Sequence, residues 1–282
     1  MNFVLIENVR NSIAKFMLGF AFVIALLFAT GASTLNYNIE FTGGVVYTLN
    51  ASVDEVKDML GDNSELNISG SSNGATVQML EEANLNEAEL SYLEEHKLSR
   101  DTIGASLGQE LVQASLYGIG FAFLGVMIYL SIRYNSTMAI ATLIALVHDI
   151  AFTVFTLSIF GIEMSSIVVG ALLAIIGYSI NDSVVTLDRV RELIREDEKD
   201  PVQTAMEMTL KRNVNTAVST LIVIASLFLF GGESMHAFSL TMLAGVGVGM
   251  FSSLTIVPSL VSAKRNSGAF AVSKRPSLEG EL

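Results

Sequence analysis

Ser165–Leu187 reads SSIVVGALLAIIGYSINDSVVTL, and Asp182 is its one charged residue. The chain turns ionic only afterwards, at Asp188-Arg189-Val190-Arg191-Glu192. With a helical rise of about 1.5 Å per residue, Asp182 lies roughly 9 Å inside that charged boundary. A run this long and apolar reads as a membrane-crossing helix. A carboxylate held at such depth is costly, so it marks a candidate functional site.

Working outward, five further stretches are long and apolar enough to cross about 30 Å of hydrocarbon. With Ser165–Leu187 as the fourth, the spans are Ile13–Ser33, Val112–Ile132, Met138–Phe160, Val214–Phe230 and Phe238–Val261. The mean hydropathy of +0.54 and the 16% of charged residues fit a polytopic membrane protein. Arg10 and Lys15 give the first span the look of a signal peptide. Its length and the lack of a clear cleavage site make it a retained anchor. Asn2–Lys15 reads equally well as a short interfacial helix or as the start of that span.

The basic residues orient the bundle. Of 16 Lys and Arg, 13 fall at the termini, at Arg133 and in the loop between spans four and five. The positive-inside rule makes that side cytoplasmic, with both termini inside. Residues 34–110 are then extracytoplasmic. They hold 14 acids against 3 bases, a balance of −11 out of the chain's −12. The acidity therefore describes one soluble segment, and the chain has no basic face for nucleic acid. Four regions follow: 1–33, with the first span; 34–110; 111–262, with spans two to six and a cytoplasmic loop at 188–213; and a cytoplasmic tail, 263–282.

Residues 34–110 read as a small α/β domain inserted between helices 1 and 2. Ile39–Asn50 is strand-like, interrupted at Thr42-Gly43-Gly44. Ser52 is placed to cap Val53–Leu60, with Glu55 completing a capping box. Leu66–Ser69 and Ala75–Leu80 suggest a hairpin around Ser71–Gly74. Glu87–His96 reads as a helix capped at Asn86. So small a unit is expected to pack against the bundle or a partner. Asn67-Ile68-Ser69 forms a glycosylation sequon on the outer side.

Asp149 is a second buried acid, twelve residues into span three and beside His148. Two carboxylates in neighbouring spans suggest a proton or cation path, or else groups that fix helix packing. His148 is read as a relay or as a packing histidine. Arg212 opens span five, with Asn215, Thr216, Ser219 and Thr220 behind it as one polar stripe. Tyr178, Asp182, Val185/Thr186 and Arg189 share a face of span four. An Asp182–Arg212 contact is expected from depth; the other reading of Arg212 is a snorkelling anchor. Gly245 and Gly249 form a GxxxG packing face rather than a nucleotide loop. There is no Walker, HExxH or GxSxG motif and no cysteine, so no cofactor, metal or covalent catalysis is expected. An intramembrane aspartyl protease using Asp149 and Asp182 and a structural scaffold are the readings from other classes.

Ile175-Ile176-Gly177-Tyr178-Ser179-Ile180-Asn181-Asp182-Ser183-Val184-Val185, followed by Asp188–Glu192, resembles the fourth-span signature of SecF members of the SecD/SecF protein-export family. Ile39–Gly44, Ile103–Gly108, Ala145–Asp149, Thr209–Arg212 and Gly231-Gly232 match other family motifs in order. Departures are Glu40 where Asp is usual, Ala105 for a common Pro, and Glu233 for a frequent Pro.

The resemblance implies a six-helix bundle of the RND type and a SecD partner completing twelve spans. It also implies work beside a SecY-type channel on translocating polypeptide, driven by a proton or sodium gradient. It assigns ion coupling to Asp182 and Arg212; Asp149, Asn181 and Tyr178 are weaker candidates for the same role. Motion is expected to reach the outer domain through span one or two. Half of an RND exporter for lipids or small molecules is the alternative within the superfamily.

Overall fold

The computed structural model describes residues 7–31, 34–61, 66–71, 74–80 and 85–266. Residues 1–6, 32–33, 62–65, 72–73, 81–84 and 267–282 lie outside it, so the interfacial-helix reading is tested only from Glu7 onward. From there α1 (Glu7–Ala29) is one continuous helix. The membrane part continues with α5 (Ala105–Arg133), α6 (Ser136–Ile159), α7 (Ser166–Arg195), α8 (Pro201–Phe230) and α9 (Glu233–Asn266). These are six helices long and apolar enough to cross a membrane, as expected.

Several helices outrun their apolar runs. The ladder of α7 extends to Arg195 and that of α8 starts at Pro201, because polar residues such as Arg191 and Gln203 sustain a helix once its apolar stripe is packed. α9 lies at the centre against α1, α6, α7 and α8. Its glycines permit this: a Cβ at Gly245 would sit 2.2 Å from Ile175 Cδ1, and one at Gly249 3.5 Å from Ser179 Cβ. The GxxxG face thus packs against α7. A core of Leu130, Met138, Leu187, Ile256 and Val261 joins α5, α6, α7 and α9.

The domain between α1 and α5 runs α2 (Ile39–Thr42), β1 (Gly44–Leu49), α3 (Val53–Leu60), β2 (Leu66–Ser71), β3 (Gly74–Met79), α4 (Glu87–His96) and β4 (Lys97–Ile103). Its sheet order is β2-β3-β1-β4 with antiparallel neighbours, a split βαβ arrangement. Alternation sends Val45, Tyr47, Leu49, Ala75, Val77 and Met79 to one buried face, which α3 and α4 cover through Val56 and Leu93.

Ser52 caps α3 by accepting from Glu55 N–H, and Asn86 and Glu89 form a complete capping box on α4. Two readings are corrected. Ile39–Thr42 is a helical turn rather than the start of a strand, because Asn38 caps it by accepting from Glu40 N–H. Lys97–Ile103 is an edge strand that no apolar alternation announced, since all of it but Ile103 is exposed.

Candidate functional site

The polar residues of α7 converge on one face. Ser179, Asp182, Ser183 and Thr186 are all buried, at the three- and four-residue spacing that stacks side chains along a helix. Asn181 is exposed and Tyr178 half-buried. Asp182 is 2% exposed, and its Oδ2 has no hydrogen-bond partner among the described residues. Within a bundle where buried polar atoms are normally paired, that oxygen requires an explanation.

Arg212 does not supply it. Among the described residues no ion pair or hydrogen bond joins Arg212 to Asp182, although the Arg212 charge acts on Asp182 electrostatically. α8 meets α7 through Thr209 and Asn213, spaced by four, while Arg212 is exposed one position away from Asn213, about 100° round the helix. The residue that reaches α7 is Asn213. Its Nδ2 donates to the Asp182 backbone carbonyl at 3.4 Å and to Thr186 Oγ1 at 3.1 Å, and Thr186 and Thr209 hydroxyls pair at 3.2 Å. Asn213 Oδ1 is itself unpartnered among the described residues, as is the Tyr178 hydroxyl. Three orphaned polar atoms therefore gather along the α7–α8 seam.

Asp149 is arranged in the opposite way. It is fully buried, and its Oδ2 accepts from Ser179 Oγ at 2.6 Å and Ser252 Oγ at 2.8 Å. Its Oδ1 lies 3.0 Å from His148 Nδ1. The carboxylate thus ties α6 to α7 and α9. It shares no hydrogen bond with Asp182 among the described residues, so the two acids do not form the proton-sharing dyad of an aspartyl protease. At the far end of α7, Arg133 Nη2 contacts both Asp188 oxygens at 3.1 and 3.0 Å, and Tyr134 donates to Asp188 Oδ1 at 2.9 Å.

Ser179, Ser252 and Asn213 were not singled out in the sequence. The signals existed: Ser179 stands three residues before Asp182, Ser252 three after Gly249, and Asn213 beside Arg212. None exceeds the background of small polar residues common in membrane helices.

Fold and site together define a multi-pass α-helical membrane protein carrying buried carboxylates and one domain outside its bundle. Residues 85–266 match the family model for protein export membrane protein SecD/SecF, C-terminal. The chain is 30% identical over 277 residues to protein translocase subunit SecF of Haemophilus influenzae, covering 90% of this chain and 84% of that one. It is 33% identical over 271 residues to SecF of Desulfurispirillum indicum, covering 86% of each. The crystal structure of SecDF from Thermus thermophilus superposes with a TM-score of 0.74 at 30% identity over 94% of this chain. Only 39% of that longer chain is spanned. The chain belongs to the SecD/SecF family of protein export membrane proteins.

Proposed function

We propose that this chain is the SecF-type half of a SecD–SecF complex, which uses a proton or sodium gradient to assist polypeptide export beyond a SecY-type channel. The single observation that carries the ion-coupling part is the buried, unpartnered Asp182 carboxylate on the α7–α8 seam. An acceptor in that condition is the group that gains most from a proton or cation, because either ends the cost of an unpaired charge. Ion arrival neutralises Asp182 and weakens its attraction to Arg212, and α7 and α8 then repack. Tyr178 and Asn181 flank the carboxylate and shape access to it. Asp149 serves the same ion response by tying α7 to its neighbours.

A SecD-type partner is supported by relatives in which the matching segment is part of a longer chain named SecDF, such as that of Thermus thermophilus. It is also supported by Arg212, Asn215 and Ser219, which stand exposed on a membrane helix of this chain. Such groups are costly against lipid and suit a polar neighbour. Both termini are cytoplasmic and residues 34–110 extracytoplasmic in this reading, following the basic loops. The relatives are named as translocase subunits, and the chain works without covalent catalysis.

The test is export in proteoliposomes holding the full complex. Asp182→Asn reduces gradient-stimulated export to the level seen without a gradient. Stimulation equal to wild type would falsify the reading.

A further inference from the structure

The polar junction between α7 and the outer domain is built from two acids of opposite origin. The first turn of a helix leaves backbone N–H groups without partners in the helix itself. At α7 the Ser165 side chain takes one, that of Val168. Glu40, which belongs to the outer domain, takes another: its Oε2 accepts from Ser166 N–H at 3.0 Å and from Ser166 Oγ at 2.7 Å. A carboxylate there also sits favourably against the helix dipole.

Glu163 makes the reverse contact. It lies on the elbow between α6 and α7, and its Oε2 and Oε1 accept from Asn38 Nδ2 and Asn67 Nδ2, each at 2.7 Å. Asn38 is the cap of α2 and Asn67 lies on β2, so Glu163 grips two elements of the domain. Between the acids the backbones interlock, with Met164 N–H donating to Asn36 O at 2.7 Å and Asn38 N–H to Met164 O at 2.9 Å.

The other main support is of a different kind. α2 rests on α5 by close approach, so that a Cβ at Gly108 would lie 2.5 Å from Phe41 O. That contact is steric, and the covalent tie to α5 is a single residue, Gly104, at the end of β4. The elbow clasp pulls as well as pushes, through hydrogen bonds to charged groups, which are about twice as strong as neutral ones. From Ser166 to Asp182 α7 is one uninterrupted helix without proline, about 24 Å long. Movement beside Asp182 is delivered to its N-terminus with little loss.

We infer that Glu40 and Glu163 form a clasp through which α7 moves the outer domain, making them positioning residues for the response to ion binding at Asp182. This inference rests on the ion-coupling reading of Asp182. It assigns the transmission to the elbow before span four, in place of the span-one or span-two route expected from sequence.

The chain has no cysteine, so spin labels can be placed unambiguously. Labels at Met59 on α3 and Phe251 on α9, both exposed, report the domain against a helix outside both the clasp and the α7–α8 pair. The full chain is reconstituted with a SecD-type partner, and the distance is measured by pulsed electron paramagnetic resonance. Asp182→Asn, which imitates the neutral acid, shifts the mean distance. In Glu40→Ala/Glu163→Gln that shift disappears and the distribution broadens. Persistence of the shift in the double variant overturns the clasp, and so does the lack of any shift in the otherwise wild-type chain.

Should the double variant fail to assemble, Glu40→Gln/Glu163→Gln keeps shape and acceptors while removing charge. It is expected to reduce the shift, and an unchanged shift again overturns the clasp. Export by Asp182→Asn in the same vesicles judges the ion-coupling reading separately, because it does not depend on which residues grip the domain.

Discussion

Asp149 and Asp182 have the same chemistry and nearly the same burial, at 0% and 2% exposure, and they touch the same helix. Asp149 has both oxygens engaged, by His148, Ser179 and Ser252. Asp182 has a bare Oδ2 and a neighbour, Asn213, that spends its donors on the Asp182 backbone and on Thr186. A buried carboxylate saturated with donors is a fixed point, since taking up an ion means giving up hydrogen bonds already made. One left unsatisfied is stabilised by ion uptake. The difference teaches that depth identifies candidates, while the partners decide which of them responds.

The comparison breaks most readily at Asp149. Asp149→Ala leaves the donors of three side chains without their acceptor and opens a cavity among α6, α7 and α9. Removing one member of such a buried network typically costs about 3–5 kcal/mol. Thermal unfolding of the purified protein is expected to show that loss. A stability equal to wild type would mean that Asp149 is no anchor.

Ser179→Ala and Ser252→Ala remove one donor each and are expected to cost about 1–3 kcal/mol apiece. Because both hydroxyls serve Asp149 Oδ2, the double variant is expected to depart from the sum of the singles. Simple additivity would show that the cluster does not act as a unit.

Asp182→Asn is expected to change stability by less than about 1 kcal/mol, because no side-chain hydrogen bond is lost and an unpaired charge is removed. On the proposed function, the same substitution is expected to remove gradient-stimulated export. A large destabilisation would erase the distinction between the two acids.

The smallest effect is expected at an exposed site of the α/β domain, where Lys97 Nζ donates to Glu94 Oε2. That bond holds the Glu94 carboxyl below its ordinary value of 4.5. The sign follows: the pair contributes above the unfolded-state value and its contribution is lost as pH falls through the lower folded value. An exposed pair contributes little. Carboxyl NMR of the full chain should place the Glu94 midpoint below 4.5 and raise it in Lys97→Ala.

Much of this architecture was legible before any coordinates. The six spans follow from hydropathy, and α3 and α4 begin where Ser52 and Asn86 cap them. β4 escaped because an edge strand exposed on both faces carries no alternation to read, and α2 escaped because one helical turn carries no period. At the site, Asp182 was visible as a charge out of place. Its relation to Arg212 was not, because the stripe starting at Arg212 and the buried row through Asn213 differ by one residue of helical phase. Sequence spacing does not say which of the two faces α7.

The sequence by itself determined how many long apolar helices the chain carries, where the α/β domain is inserted between them and how far its acids lie inside apolar runs. Each of those is a sum over neighbouring residues of the cost of leaving water. Only the tertiary structure decided that Asp149 is held and Asp182 is free. Asp149 meets its donors 30 and 103 positions away, and among the described residues Asp182 Oδ2 has none. Which helices meet, and in what rotational phase, is settled by packing across the whole bundle and is written in no single stretch of the chain.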